Sequence, residues 1–520
     1  MTTGARALLR TLVAGGVDVC FANPGTSEMH AVAAFDAEPG MRGVLTLFEG
    51  VATGAADGYA RMAGRPAATL LHLGPGLGNG IANLHNARRA GSGIVNIVGD
   101  HATDHAHFDA PLQSDISGLA APVSGWVRHT AGPADVAVDT AAAVAAAQEG
   151  QVATLVLPAD ASWSEGAADE PGPVPEKPAR GLGNAEARSA AAAALRSGEP
   201  CLLLLGGDAT RADGLDAAGR IAAATGAEVL VETFPARLER GAGVVAADRL
   251  AYLPDMAVAQ LSGARHLLLV GARSPVAFFG YPGKRGDLVP KGCHVHAVAG
   301  RADAAAAALA ELAAEVAPGA VARKAELQRP ELPTGPLGID TAATVVGALL
   351  PEGAIVVDEA ATSGFVLPAA TAGAPRHDWL TLTGGAIGWG LPAATGAAIA
   401  CPDRPVWCLQ ADGSAMYTIS ALWTHAREGL DITTVIYNNA AYAILRLELA
   451  AVGADAAAGR AARSLLDLDR PRLDFVALAT GMGVPATRAE TAEELAAALA
   501  KAAAEPGPHL VEAMVPPLVP

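Results

Sequence analysis

Charged side chains are scarce in this chain, and the basic ones are the scarcer of the two signs. Asp, Glu, Lys and Arg make up only 17% of the 520 residues, against 51% hydrophobic residues, and the formal net charge is −17. This balance excludes a disordered chain and favours several large cores with extensive subunit contacts. No stripe of Lys and Arg is present, so we expect no nucleic-acid partner.

The chain also lacks the sequence features of secreted and membrane proteins. Its five cysteines are scattered and include no Cys-x-x-Cys pair, which favours a reducing cytoplasm over a disulfide framework. Arg6, Arg10 and Asp18 interrupt the first 20 residues, so we expect no signal peptide there. No run of 18 or more apolar residues occurs, so we expect no membrane span.

Apolar runs alternate with Ala-rich helical patterns along the whole chain. This alternation predicts α/β domains built on parallel sheets. Two Pro- and Gly-rich segments, 164–183 and 323–338, divide the chain. We therefore predict an N-terminal domain at 1–165, a central domain at 184–322 and a C-terminal domain at 338–520.

The most informative motif begins at Asp412-Gly413-Ser414 and ends at Asn438-Asn439. An apolar run precedes it, and a helical pattern and a second apolar run lie inside it. A strand-helix-strand unit would return Asp412 and Asn439 to the same edge of a parallel sheet. A carboxylate and an amide oxygen at such an edge suit a hard divalent cation that also holds a diphosphate. The alternative is an ordinary strand, turn and helix in which Asp412 is only an N-cap.

This segment resembles the diphosphate-binding motif of the thiamine-diphosphate enzymes. The resemblance extends over the chain through FANPGTSEMH (21–30), LFEGVATGAADGYARMAGRPA (47–67), LLHLGPGLGNG (70–80) and GGAIGWGLPAATGAA (384–398). It is closest to the decarboxylases and carboligases of 2-oxo acids, which include acetolactate synthase and benzoylformate decarboxylase. It implies three doubly wound parallel-sheet domains: pyrimidine-binding, central and diphosphate-binding. It also implies thiamine diphosphate, Mg²⁺, a small 2-oxo acid substrate, and active sites between the chains of a homodimer or homotetramer.

The resemblance assigns cofactor contacts at both ends of the chain. Glu49 would touch N1′ of the cofactor's pyrimidine from the neighbouring chain, although composition alone also allows a surface helix-cap carboxylate. Mg²⁺ would be held by the side chains of Asp412 and Asn439 and by the backbone carbonyl of Ala441. The remaining expected cofactor contacts are Thr362, Gly385, Ile387, Gly413, Ser414 and Tyr442.

Four further residues are expected on the substrate side of the site. His72 ends an apolar run and matches the active-site His of the decarboxylase branch, where it would donate or accept a proton. Thr26 and Glu28 match residues near the substrate carboxylate, and Gln113 matches a Gln of the synthase branch. A structural His at the end of a strand and an ordinary capped turn are the alternative interpretations.

The chain departs from the family pattern at two places. Ala411 stands where the metal motif usually has Gly. The segment PVAFFGYPG (275–283) offers Phe278 and Phe279 where the decarboxylase branch has a second catalytic His. The missing His favours carboligation, as in acetolactate synthase, over release of an aldehyde. A simple decarboxylase and a catalytically silent cofactor-binding paralogue stay open as alternatives. FAD also stays open, with no specific motif to indicate it.

Overall fold

The computed structural model describes residues 2–454 and 459–518. They form three large sheets, parallel except for one edge strand, and one small antiparallel pair. The predicted fold class is thereby confirmed. The division at 1–165, 184–322 and 338–520 stays a prediction. None of the described helices is long and apolar enough to cross a membrane.

The first sheet has six parallel strands and lies in the N-terminal segment. In spatial order they are β3 (Arg42–Leu45), β2 (Val19–Asn23), β4 (Ala67–Leu71), β5 (Ile94–Asp100), β7 (Val152–Pro158) and β6 (Trp126–His129). A small antiparallel pair joins β1 (Thr2–Thr3) to β8 (Glu165–Ala167). The helices are α1 (Gly4–Ala14), α2 (Met29–Ala34), α3 (Glu49–Ala63), α4 (Leu73–Ala90), α5 (Ile116–Ala120), α6 (Val136–Gln148) and α7 (Ala159–Trp163).

The second sheet has five parallel strands and lies in the central segment. In spatial order they are β12 (Asp248–Arg249), β10 (Glu228–Val231), β9 (Cys201–Leu205), β13 (His266–Val270) and β14 (His294–Ala299). Its helices are α8 (Ala185–Arg196), α9 (Ala212–Thr225), α10 (Pro254–Leu261) and α11 (Ala305–Val316).

The third sheet has seven strands. In spatial order they are β11 (Leu238–Arg240), β16 (His377–Thr381), β15 (Ile355–Glu359), β17 (Val406–Ala411), β18 (Ile432–Asn438), β20 (His509–Met514) and β19 (Ala486–Ala489). Its helices are α12 (Ile339–Leu349), α13 (Leu367–Ala370), α14 (Gly390–Ala400), α15 (Asp412–Ala415), α16 (Ala421–Glu428), α17 (Ala443–Ala451), α18 (Arg460–Arg463), α19 (Phe475–Gly481) and α20 (Ala492–Ala504).

One edge of the third sheet is antiparallel and comes from the central segment. Strand β11 pairs with β16, while every other neighbouring pair in this sheet is parallel. A three-residue strand carries too little periodicity to be recognised from sequence. The central segment is therefore tied to the third sheet by backbone hydrogen bonds.

Helices α3 and α14 hold the N-terminal and C-terminal segments together. A Cβ atom at Gly58 would overlap the backbone of Ala393, and one at Gly396 would overlap the backbone of Ala55. The two helices therefore pack at backbone distance, which explains why both are built from small residues. This contact fixes how the start of α3, where Glu49 lies, sits relative to the third sheet.

Candidate functional site

The ends of β17 and β18 form the first part of the site. These strands are parallel neighbours, with Ala411 opposite Tyr437, so Asp412 and Asn439 lie close to each other at the carboxyl edge of the sheet. The Asp412 side chain is buried and accepts hydrogen bonds from two backbone amides, Gly413 N at 2.7 Å and Ala440 N at 2.7 Å. The predicted return of both motif ends to one edge is what the structure shows.

The two adjacent amides of this motif have different surroundings. Asn438 donates through Nδ2 to Glu512 Oε1 at 2.6 Å and accepts through Oδ1 from Ala440 N at 3.2 Å. Asn439 lies beside Asp412; its Oδ1 accepts from Ala441 N at 3.0 Å, and its Nδ2 donates to Ser363 Oγ at 3.5 Å. Asn438 is therefore held by strand β20, whereas Asn439 is held by the turn after β15.

The electrostatics of Asp412 fit a bound cation. Burial raises the pKa of Asp412 to about 6, although the surrounding backbone amides oppose that shift. Within residues 2–454 and 459–518, no Lys, Arg or His forms an ion pair with this carboxylate. A buried anionic oxygen beside an amide oxygen is a donor set that Mg²⁺ accepts. Asp412, Asn439 and the adjacent Ala441 can therefore hold the expected ion.

The helix predicted after Asp412 is shorter than expected. Helix α15 spans only Asp412–Ala415, and α16 starts at Ala421, with turns between them. The predicted helical stretch is thus interrupted, and at the interruption the Thr418 hydroxyl donates to the Gly388 carbonyl at 3.0 Å. Ser414 stays buried in the first turn, at the position expected to face the phosphates.

Two more expected cofactor residues border this edge. Tyr442 places its ring over Gly413, where an added Cβ atom would overlap it. Thr362 is buried in a tight turn at the end of β15, directly after Ala361, whose φ is 50°. Ala440 has φ 54°, so non-glycine residues take the left-handed conformation in both turns. Such strained positions cluster at functional sites.

The loop that carries Gly385 and Ile387 is held from the N-terminal segment. Asn86, on α4, donates to the Ala386 carbonyl at 2.7 Å and accepts from the Ala386 amide at 3.2 Å. Gly385 has φ +75°, and Ile387 is half-buried beside it. The loop thus presents a fixed backbone at the positions expected to contact the pyrimidine.

The Glu359 carboxylate accepts hydrogen bonds from the next turn of the same loop. The sequence alone did not identify this residue as part of the site. Its carboxylate accepts from the amides of Gly388 at 2.7 Å, Trp389 at 3.0 Å and Gly390 at 2.6 Å, and from Gln410 Nε2 at 2.9 Å. Burial raises the pKa of Glu359 to about 7. The only sequence signal was an acidic residue directly after an apolar run.

The predicted substrate-side residues Glu28 and His72 meet at the carboxyl edge of the first sheet. His72 Nδ1 lies 2.8 Å from Glu28 Oε2, which also accepts from Gly25 N at 2.7 Å. A carboxylate only accepts hydrogen bonds, so Nδ1 carries the proton and Nε2 is the outward atom of the ring. An added Cβ atom at Gly25 would overlap the imidazole, which explains the glycine before Thr26.

Glu49 lies near this pair. It begins helix α3, is buried, and accepts from Asn79 Nδ2 at 2.9 Å. A Cβ atom at Gly76 would lie 3.2 Å from Glu49 Oε1 and 3.4 Å from the Cβ of His72. Glu49 and His72 therefore flank the same glycine on α4.

The structure ties Thr26 and Gln113 less closely to Glu28, Glu49 and His72. Thr26 is exposed in the turn before Glu28. Gln113 precedes Ser114, whose hydroxyl an added Cβ atom at Gly74 would overlap, so its loop lies against the start of α4. The Oε1 atom of Gln113 is buried without a hydrogen-bond partner, which leaves it available to a bound molecule.

The site residues thus form two groups within this chain. The N-terminal group contains Glu28, Glu49 and His72, and the C-terminal group contains Asp412 and Asn439. Across the described part of the chain, no hydrogen bond or ion pair joins a member of one group to a member of the other.

Two domain models of one protein family match the two parts of the chain that contain these groups. Residues 2–121 match the N-terminal TPP (thiamine pyrophosphate) binding domain of thiamine pyrophosphate enzymes, and residues 360–513 match the C-terminal TPP binding domain. A protein of Mycobacterium tuberculosis H37Rv, named as a candidate acetolactate synthase large subunit (IlvX), is 65% identical over 99% of each chain. The benzoylformate decarboxylase of Pseudomonas aeruginosa is 32% identical over 96% of each chain.

A solved structure has the same fold. The thiamine diphosphate-dependent 4-hydroxybenzoylformate decarboxylase of Rhodococcus jostii RHA1 superposes with a TM-score of 0.83 at 24% identity, and the match covers 99% of both chains.

Proposed function

The chain belongs to the thiamine pyrophosphate enzymes, and we propose that within this family it is a Mg²⁺-dependent carboligase of 2-oxo acids. The C1–C2 bond of the first 2-oxo acid breaks and CO₂ leaves. The electron pair left at C2 forms a bond to the carbonyl carbon of a second molecule, whose oxygen takes up a proton. Thiamine diphosphate supplies the carbon nucleophile and the electron sink for this chemistry when bound.

The residues of this chain have separable roles in the proposal. Asp412, Asn439 and the Ala441 carbonyl would hold Mg²⁺, which would supply positive charge for the diphosphate. The loop around Gly385 and Ile387 positions the pyrimidine. Glu49 holds a proton at N1′ of that ring.

The observation that carries ligation is the contact between Phe278 and Gly385. A Cβ atom at Gly385 would lie 2.6 Å from Cζ of Phe278, so a ring without an ionisable group covers the loop. An intermediate beside the Phe278 ring receives no proton from it. The unprotonated intermediate therefore persists long enough to react with a second carbonyl compound.

The second candidate is simple decarboxylation with release of an aldehyde. The Glu28–His72 pair supports it, because an imidazole held at 2.8 Å by a carboxylate is suited to proton transfer. Product analysis separates the two candidates.

The test uses purified protein with thiamine diphosphate, Mg²⁺ and a panel of 2-oxo acids with aldehyde acceptors. Carboligation predicts hydroxyketone products, detected by mass spectrometry, in step with CO₂ release. Aldehyde without any ligation product would show that the carboligase proposal is wrong. Glu49→Gln should abolish turnover, while Glu165→Gln, at an exposed site, should not. Equal inactivity of wild type and Glu49→Gln on the whole panel would favour the silent paralogue.

We further propose that each active site combines two chains, in a homodimer or a larger homo-oligomer. Within the described part of one chain, Glu49 and Asp412 make no hydrogen bond or ion pair with each other, which supports this arrangement. Mixing Glu49→Gln protein with Asp412→Asn protein should then restore about a quarter of wild-type activity, because half of the random dimers carry one intact site. No recovery after subunit exchange would contradict shared sites. The five unpaired cysteines support a reducing compartment such as the cytoplasm.

A further inference from the structure

A group of aromatic side chains faces the candidate site from the central segment. Phe234 follows β10, Tyr252 follows β12, and Phe278 and Tyr281 lie in the segment after β13. All four therefore lie at or near the carboxyl edge of the second sheet, where open α/β sheets bind ligands. We call these four residues the aromatic wall.

Three rings of the aromatic wall contact one another, and one of them reaches the loop expected to hold the cofactor. Ring centroids of Phe234 and Phe278 are 5.7 Å apart, and those of Tyr252 and Phe278 are 5.3 Å apart. Phe278 covers Gly385 yet remains 40% exposed. An exposed aromatic surface beside a reaction site indicates a place where a ligand binds.

The carboxylate of Glu448, on helix α17 of the C-terminal segment, lies at this wall. Glu448, on α17, accepts from the Tyr252 hydroxyl at 2.8 Å (Oε1) and from the Tyr281 hydroxyl at 3.0 Å (Oε2). Burial and the Glu448 carboxylate raise the pKa of Tyr252, and they raise that of Tyr281 to about 12. Both phenols therefore keep their protons and donate them toward Glu448.

Glu448 has aromatic neighbours but no counter-charge. No Lys, Arg or His of residues 2–454 and 459–518 pairs with it, whereas Arg446, two positions earlier, pairs with Asp467 at 2.7 Å. Helix α17 also begins directly after Tyr442, so Glu448 belongs to the element that continues from the expected metal loop. An anionic group therefore contacts two side chains of the wall, and a third side chain of the same wall, Phe278, covers Gly385.

We propose that Glu448 and the aromatic wall bind a positively charged group at the far end of the 2-oxo acid side chain. The inference rests on the proposed function and names the substrate class for it. Aromatic faces attract cations, and the carboxylate supplies the opposite charge. An apolar side chain in this place would bury Glu448 without a counter-charge, which is costly.

The first test compares kcat/KM of the holoenzyme for 5-guanidino-2-oxopentanoate with the values for 2-oxoheptanoate and 4-hydroxyphenylglyoxylate, whose far ends are uncharged. We expect the guanidino acid to be favoured at least about tenfold, and we expect Glu448→Gln to lower its kcat/KM at least about tenfold more than that of 2-oxoheptanoate. Tyr281→Phe, which keeps the ring, should have a smaller effect in the same direction. Glu326→Gln, at an exposed position, is the control.

Three results would overturn the proposal. They are a preference for 2-oxoheptanoate, a preference for 4-hydroxyphenylglyoxylate, whose far end is an uncharged donor, and an equal loss on all substrates in Glu448→Gln. An equal loss would assign Glu448 a purely structural role, and thermal unfolding of the variant would confirm it.

A binding experiment separates this inference from the proposed function. The probe is 5-guanidinopentanoate, which has no 2-oxo group, and its affinity is measured by calorimetry. Wild type should bind it at least about tenfold more tightly than Glu448→Gln does. If no 2-oxo acid is turned over but this difference is found, the proposed function fails and the cation site stands. Equal or undetectable binding by both proteins would overturn the cation site.

Discussion

The backbone amide of Ala440 donates a 2.7 Å hydrogen bond to Oδ2 of Asp412. This bond joins the residue after β17 to the turn after β18, and the turn is tight because Ala440 takes φ 54°. The carboxylate is therefore oriented by the backbone of the neighbouring strand end. Its remaining lone pairs face the place expected for the cation.

Asp412→Asn should abolish the stabilisation of the protein by Mg²⁺ and thiamine diphosphate. The substitution keeps the size of the side chain but removes the charge that attracts the cation. In wild type, ligand at 100 times its Kd should stabilise the fold by about 2.7 kcal/mol. Thermal unfolding with and without both ligands measures the effect.

Asp403→Asn is the matched control, because Asp403 is exposed beyond the opposite end of β17. Its melting temperature should rise with the ligands as it does in wild type. An unchanged ligand-induced shift in Asp412→Asn would rule out Asp412 as the principal ligand.

Gly413→Ala should lower thermal stability and weaken cofactor binding. The new methyl group would overlap the Tyr442 ring, which must then move off the metal loop. Overpacking of this kind costs about 1–3 kcal/mol. Gly78→Ala is the control, because a Cβ atom there meets nothing within 4 Å and Ala favours the helix. Similar melting temperatures for both variants would contradict the assigned contact.

The sheet edge that carries Asp412 and Asn439 could be predicted from the sequence, because neighbouring residues in the chain mark each of its strand ends. An apolar run followed by Asp412 and another followed by Asn439 define two strand ends, and parallel pairing brings them together. The start of the last helix is equally local: Thr491 accepts from the Glu494 amide at 3.2 Å, in a capping box whose residues are only three positions apart.

Other parts of the site depend on contacts between distant residues, which one sequence does not reveal. Asn86 and Ala386 are 300 positions apart, and Phe278 reaches Gly385 only after the central segment has packed on the third sheet. Glu359 looks like an ordinary acidic residue after a strand until the loop at 388–390 closes over it.

Glu359 should make the protein less stable as the pH rises from about 4.5 to about 7. Burial raises its pKa from 4.5 to about 7 in the folded protein. In this window the folded state holds a proton that the unfolded state has lost, so unfolding becomes easier as pH rises. The full effect is about 3 kcal/mol.

Glu359→Gln removes this titration, so its melting temperature should fall less between pH 5 and pH 7 than that of wild type. Glu331→Gln, at an exposed site, should keep the wild-type profile. Parallel profiles for wild type and Glu359→Gln would show that the carboxyl is already ionised at pH 5 in the fold.

Asn86→Ala should loosen the loop that carries Gly385 and Ile387. The substitution removes both hydrogen bonds to Ala386 and leaves that backbone without its partner, at a cost of about 1–3 kcal/mol. We expect a lower melting temperature and a higher apparent Kd for thiamine diphosphate, measured by fluorescence titration. A change in stability with unchanged cofactor affinity would show that Ala386 does not fix the pyrimidine contacts.

Glu28→Gln should change which product the enzyme forms. The carboxylate now fixes the proton of His72 on Nδ1, and an amide in its place weakens the ability of the ring to take up and pass on a second proton. General acid–base catalysis contributes about 10²–10⁴-fold to a rate, so aldehyde release should fall strongly while ligation falls less. The ratio of hydroxyketone to aldehyde, measured by mass spectrometry, should therefore rise. If the pair only binds the substrate carboxylate, KM rises and the product ratio stays constant.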